Sequence, residues 1–232
     1  MAAFNVDAFA HYLVNRYLLG GILVTLWLTF LPIVAGLVLG TGLALMRLSG
    51  RAWLSGIARF YVWIFRGTPL LVQLVLIYTG LPQLGLKFGV VASALLSLSL
   101  NEAAYLSEIL RAGLSAVPQG QRDAAAALGL RPWTVFAKVI WPQAMRLIIP
   151  PLGNSVNGLL KATSLASVIS MEELMRRGQV LMQVNFEVLE VYCVIALYYL
   201  ALTTLWDLVQ APLERRFSRG DAMSKALPRG EA

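Results

Sequence analysis

Residues 21–46 read GILVTLWLTFLPIVAGLVLGTGLALM, a run with no ionisable side chain from Gly21 to Met46. A helix needs about 20 mostly apolar residues to cross the hydrocarbon core of a bilayer. This run exceeds that length, so it predicts a membrane-spanning helix and, with it, an all-α integral membrane protein. The run is too long for a cleaved signal peptide and only Arg16 precedes it as a basic residue, so it reads as a retained span. Composition agrees. Of the 232 residues 58% are apolar and 13% are charged, and the mean hydropathy is +0.70, whereas a soluble domain carries about 25% charged residues. One cysteine, Cys193, leaves no internal disulfide, and one histidine, His11, leaves no multi-histidine metal site. No catalytic residue and no metal ligand is predicted.

Four further candidate spans lie downstream. They are Trp53–Leu81, interrupted by Arg59 and Arg66; Phe88–Leu110, holding Glu102 and Glu108; Leu147–Ile169, broken by Pro150, Pro151 and Lys161; and Val188–Val209, ending near Asp207. Five spans place the termini on opposite sides. Basic residues then set the direction, because loops on the cytoplasmic side carry the excess of Lys and Arg. One side collects Arg47, Arg51, Arg59, Arg111, Arg122, Arg131, Lys138, Arg146, Arg215, Arg216, Arg219, Lys225 and Arg229; the other holds only Arg16, Lys87, Lys161, Arg176 and Arg177. The N-terminus is therefore expected outside and the C-terminus in the cytoplasm. The same distribution explains the formal charge of +7 without a nucleic-acid partner. The expected organisation is an outer segment at 1–20, a membrane domain at 21–211 and a polar cytoplasmic tail at 212–232.

An ionisable group inside a span is costly and marks a pathway or a pair. Arg66, Glu102, Glu108 and Lys161 are such groups, with Asn101 and Tyr105 nearby, and Thr163 and Ser164 following Lys161. Glu102 and Tyr105, three residues apart, share a helix face. Glu108 lies about 240° around from Glu102, toward Arg111, which predicts an ion pair. A Glu102–Lys161 pair and an anchoring role for Arg66 are the plainer readings of those groups. Gly36 and Gly40 are spaced for close helix packing. Trp27, Trp53, Trp63 and Trp206 read as packing or interface residues. Met171–Gln183 reads as a short outer helix, with Glu172, Glu173, Arg176 and Arg177 on a solvated face.

Residues 111–146 are more than a loop. Pro118 and Gly120 interrupt the chain; Gln121–Leu128 reads as a short helix, rich in alanine, with Asp123 near its positive end. Gly129 sits where a helix stops in a left-handed residue. Pro132 opens a second helix carrying Trp133, Phe136, Val139 and Ile140 at helical spacing and ending near Pro142. The bare alanine surface suits a partner's groove, and equally suits packing beneath its own bundle.

Asp123-Ala124-Ala125, Gly129, Val139 and Trp141-Pro142 resemble the EAA loop of binding-protein-dependent ABC importer permeases, with the family's spacing throughout. Asp123 stands where the family has Glu, Val139 where it has Ile and Trp141 where it has Leu. Further stretches are similar to the polar amino acid branch, of the histidine, glutamine and arginine type. These are Phe65–Gln73, Glu102–Gly113, Val117–Gln121, Pro142–Arg146 and Lys161–Ile169. The likeness spans roughly Leu19 to Arg216. It implies the type I ABC importer permease fold, with five spans and the N-terminus outside. It also implies a second permease chain, identical or homologous, a cytoplasmic ABC ATPase dimer, and an extracytoplasmic solute-binding protein. The loop 117–145 becomes the contact with the ATPase, through Gln119, Gly120, Asp123, Ala124, Ala125, Leu128, Gly129 and Pro142. No G-x-x-x-x-G-K-[ST] phosphate loop is present, so the chain itself is expected to bind no cofactor, and ATP and Mg²⁺ are expected in the partner. The candidate pathway of Arg66, Asn101, Glu102, Tyr105, Glu108, Lys161, Thr163 and Ser164 offers both signs of charge, as an amino acid zwitterion requires. The outer helix is an expected place for the binding protein to dock. A secondary carrier or channel without an ATPase is the alternative.

Overall fold

The uncharged run at 21–46 lies inside a single helix. Asn15 starts it by accepting hydrogen bonds from the N–H groups of Tyr17 and Leu18, the cap that satisfies first-turn donors. The computed structural model describes residues 4–218. In order they form α1 (Val6–Leu13), α2 (Arg16–Leu48), α3 (Ala52–Gly67), α4 (Leu70–Val75), α5 (Val90–Ser115), α6 (Gln119–Ala127), α7 (Pro132–Val135), α8 (Trp141–Ala162), α9 (Leu174–Asn185) and α10 (Val188–Ser218). A tight 3₁₀ turn at Thr163–Ile169 follows α8. No strand occurs among the described residues. The boundary expected at residue 20 falls inside α2, and α10 continues through Pro212 to Ser218. The rest of the expected tail, with Arg219, Lys225 and Arg229, lies outside the described residues.

Three helices, α2, α5 and α10, are long and apolar enough to cross a membrane. The expected second span is not continuous: α3 and the segment Leu70–Leu84 meet at a bend of 102°. The break has a local cause. Thr68 precedes Pro69, which disfavours helical backbone at Thr68, and Thr68 is extended at φ −116°, ψ 145°. The expected fourth span corresponds to α8, which is less apolar than the other three. Pro150 and Pro151 do not break it. The adjacent α10 donates into this stretch, from Trp206 Nε1 to Gly153 O at 2.9 Å and from Gln210 Nε2 to Pro150 O at 3.4 Å, bonds that fasten α8 to α10.

The second amphipathic helix also fails to end near Pro142, since α7 passes through a wide turn at Phe136–Ile140 directly into α8. The same wide turn occurs at Leu76–Gly80, leading into a 3₁₀ turn at Leu81–Leu84. Both precede a proline by two residues, Pro82 and Pro142. A proline has no N–H to give the carbonyl four residues back. The chain instead closes i→i+5 bonds, Leu81 N–H to Leu76 O and Trp141 N–H to Phe136 O, and the helix widens without stopping.

Lipid tails offer no hydrophobic drive between helices, so association rests on close packing of small residues. Gly36 and Gly40 of α2 supply it against α5. A Cβ on Gly40 would lie 2.9 Å from Ala103 O and 3.0 Å from Ser107 N. Buried apolar side chains form three clusters along the bundle. The first gathers Tyr12, Leu18, Leu174 and Val191; the second Leu28, Leu74, Leu98 and Val156; the third Ala44, Leu110, Ile140 and Ile148. Large apolar side chains such as Val38, Trp63 and Leu205 point outward, a face that suits lipid and not water.

One expectation about charge is overturned. Glu173 is not solvated but fully buried, at 0% exposure. It caps α9 by accepting from Met175 N–H at 2.9 Å and Arg176 N–H at 2.8 Å, and it accepts the Tyr199 hydroxyl at 2.8 Å. Burial pushes its carboxyl above the ordinary carboxylate range, against the pull of these three donors. Arg177 is also engaged, donating to Tyr17 O at 2.7 Å and to Glu172 O at 3.0 Å.

Candidate functional site

Two regions hold most of the predicted residues. The first is α6. Pro118 leads into it with an extended backbone, and Gln119 Nε2 donates to Asp123 Oδ1 at 2.9 Å, one helical turn on. The helix ends as Gly129 predicts, in the left-handed region at φ +68°. Leu130 N–H reaches Ala125 O at 3.2 Å and Gly129 N–H reaches Ala126 O at 2.9 Å, the reciprocal pair of a Schellman closure. Gln119, Gly120, Asp123, Ala124, Leu128 and Gly129 are exposed, Leu128 by 77%, and so is Pro142 on α8. Ala125 departs from the prediction: it is 4% exposed and faces the protein's own bundle. One face of the helix, at Ala125, thus packs beneath the protein's own bundle, and the face at Ala124 stays exposed.

The second region is a furrow between α5 and α8. One cavity of about 380 Å³ is lined by Asn101, Glu102 and Tyr105 of α5, by Ser155, Gly158, Leu159 and Ala162 of α8, and by Leu70 and Leu165. A second, of about 400 Å³, is lined by Glu108, Ile109, Ala112, Gly113 and Ala116 of α5 and by Leu147 and Pro151 of α8. The α5 positions recur every three or four residues, so both cavities lie along one helical stripe.

Polar groups of the furrow are held in place. Glu102 accepts the Ser155 hydroxyl. The Arg66 guanidinium stands 5.2 Å from the centre of the Tyr105 ring, within cation–π range. Asn101 Nδ2 donates to Phe65 O at 3.1 Å and Gln73 Oε1 at 3.0 Å, while Gln73 Nε2 donates to Phe65 O at 2.9 Å and Thr68 O at 3.1 Å. These amides satisfy the carbonyls freed at the α3–α4 break, where an unpaired group would cost about 1–3 kcal/mol. Glu108 pairs with Arg111 at 2.9 Å, as predicted, and also with Arg47 of α2.

Lys161, Thr163 and Ser164 are not brought to the furrow. Lys161 is exposed and makes no ion pair among the described residues, so the Glu102–Lys161 pair is absent. Thr163 and Ser164 donate to the carbonyls of Leu160 and Lys161, at 2.8 and 2.7 Å, inside the turn that follows α8. Sequence reasoning overlooks Gln73, Ser155 and Arg47. Gln73 carries a readable signal, a lone amide in an apolar run; Ser155 becomes visible only when α8 is set against α5.

A bundle of apolar helices with polar groups along an open furrow between α5 and α8 and an exposed helical hairpin at one end is the architecture of a multi-pass membrane protein. A family model described as "Binding-protein-dependent transport system inner membrane component" matches residues 33–219. The probable amino-acid ABC transporter permease protein YckA of Bacillus subtilis is 38% identical over 202 residues, covering 87% of this chain and 89% of its own. The glutamine transport system permease protein GlnP of Escherichia coli is 36% identical over 202 residues, covering 86% and 92%. A chain from a crystal structure of an amino acid ABC transporter with histidines superposes with a TM-score of 0.86 at 36% identity, covering 93% of this chain and 100% of that one. The protein belongs to the family of inner membrane components of binding-protein-dependent transport systems. It is a multi-pass transport subunit of the inner membrane, and not itself an enzyme.

Proposed function

We propose that the chain is the membrane-spanning subunit of an ATP-driven importer for polar amino acids or related compounds. Two permease chains, identical or homologous, form one pathway. A cytoplasmic ATPase dimer binds ATP and Mg²⁺ and supplies the energy, and an extracytoplasmic binding protein delivers the solute. The chain crosses the membrane five times, counting α8 and the bent pair at α3–α4, with the N-terminus outside, in the arrangement of type I importers. In this organisation 1–20 is the outer segment, 21–211 the membrane domain and 212–232 the cytoplasmic tail. The single observation that carries the reading is the exposed α6, closed by left-handed Gly129 and presenting Gln119, Gly120, Asp123, Ala124 and Leu128 outward. Such a helix, seated in a cleft of the ATPase, is carried as a rigid body when ATP draws the two ATPase subunits together. The nucleotide acts through its different affinity for the outward- and inward-open states.

The solute passes along the α5–α8 furrow. Asn101, Glu102 and Tyr105 line it, with Arg66 over Tyr105 and Glu108 toward the α6 end. In proteoliposomes containing the chain, its ATPase and the binding protein, uptake of radiolabelled glutamine, arginine or histidine is expected to require internal ATP and to survive collapse of ion gradients by ionophores. Uptake abolished by ionophores with ATP present would favour a secondary carrier.

A further inference from the structure

The coupling role of α6 needs a physical connection from that helix to the furrow. Leu114 sits in the last turn of α5, the helix that carries Glu102, Tyr105 and Glu108. Carbonyls in a last turn lack the N–H donor four residues on. For Leu114 that position is Pro118, which has no N–H at all. The donor comes from α6 instead: Arg122 Nη2 donates to Leu114 O at 3.1 Å. A guanidinium at this end of α5 also meets the negative pole of the helix. On the opposite wall, Gln143 Nε2 of α8 donates to Gln121 Oε1 of α6 over a longer 3.4 Å. The α6 helix is thus tied to both walls of the furrow, and the tighter tie is Arg122.

We infer that Arg122 is a positioning residue that transmits the displacement of α6 to α5, so that nucleotide binding in the ATPase changes the width of the furrow. The inference rests on the reading of α6 as the ATPase contact. It separates Arg122 from the exposed residues of α6: these touch the partner, whereas Arg122 turns back to the pathway helix. A hydrogen bond from a charged donor is worth about a tenfold change in an equilibrium, and its loss is expected to decouple the furrow by about that factor.

The single native cysteine makes the test direct. Cys193→Ser gives a background without thiols, and Ala112→Cys, exposed and lining the furrow, reports accessibility to a water-soluble maleimide. The purified complex with its ATPase is labelled without nucleotide and when trapped with ATP and vanadate. With Arg122 present the labelling rate differs between the two states. In Arg122→Ala that difference is expected to shrink about tenfold while ATP is still hydrolysed, and Arg122→Lys, which keeps a charged donor, restores it. A full nucleotide response in Arg122→Ala would overturn the inference. If the alanine variant sheds the ATPase, the readout moves to Arg122→Gln, whose shorter neutral side chain does not span to Leu114 O; a full response there, or failure of both variants to assemble, overturns it as well. An Arg122-containing chain that binds no ATPase would instead refute the reading of α6 on which the inference stands.

Discussion

Replacing Gly129 with valine is expected to abolish substrate-stimulated ATP hydrolysis while leaving the membrane bundle folded. Gly129 closes α6 at φ +68°, and a Cβ built there meets nothing within 4 Å. The obstacle is therefore the backbone and not crowding. A left-handed conformation costs an ordinary L-residue about 1–2 kcal/mol, and a β-branched residue is a true outlier there. A cost near 2 kcal/mol moves a two-state equilibrium about thirtyfold. The valine variant escapes the strain by undoing the Schellman closure, which turns Leu128 and the end of α6 away from the ATPase. Asparagine tolerates the left-handed region, so Gly129→Asn is expected to stay close to the parent and Gly129→Ala to fall between. ATPase rates of the reconstituted complex, with and without loaded binding protein, check the series. Normal stimulated hydrolysis in Gly129→Val would remove α6 geometry from the account.

A second large effect is expected at Gly40, on stability. A Cβ there would sit 2.9 Å from the Ala103 carbonyl oxygen and 3.0 Å from the Ser107 nitrogen, both backbone atoms of α5. Neither can swing aside as a side-chain tip does, so α2 and α5 must separate along their length. Overpacking of this kind costs about 1–3 kcal/mol. Gly42, two residues on in the same helix, meets nothing within 4 Å and serves as the control. Thermal unfolding in mild detergent is expected to fall clearly for Gly40→Ala, fall further for Gly40→Leu, and hold for Gly42→Ala. Equal midpoints for Gly40→Ala and Gly42→Ala would show that the α2–α5 contact is looser than the structure has it.

Features governed by local chemistry were legible before the structure. The uncharged run became α2, Gly129 took the left-handed conformation, and Glu108 found Arg111. Features set by partners across the bundle were not. Glu173, within a charged stretch, reads as solvated, yet Tyr199 and the first turn of α9 give it enough donors to be buried. Lys161 reads as a partner for Glu102, but Ser155 takes that place. Prolines mislead in both directions. Pro69 marks a sharp break inside an apolar run long enough to span, whereas Pro142, Pro150 and Pro151 lie within a helix that continues. The difference lies in how the freed backbone re-pairs: at the Pro69 break the side-chain amides of Gln73 and Asn101 take the open carbonyls, whereas before Pro142 the chain closes a wide turn on itself and stays helical. The inward face of Ala125 likewise follows from how α6 lies on the bundle, and an alanine-rich stretch does not disclose which alanine turns in.

The central claim is that α6 docks a separate ATPase, and isolation of the chain from its native membrane tests it most directly. Purified in mild detergent, the chain is expected to bring with it a phosphate-loop ATPase in equimolar amount. Asp123→Cys, on the exposed face of α6, is expected to cross-link to that subunit. The same gel would show one permease species or two. If no ATPase accompanies the chain, even after cross-linking through Asp123→Cys, the docking role of α6 is contradicted and a carrier without an ATPase becomes the better account.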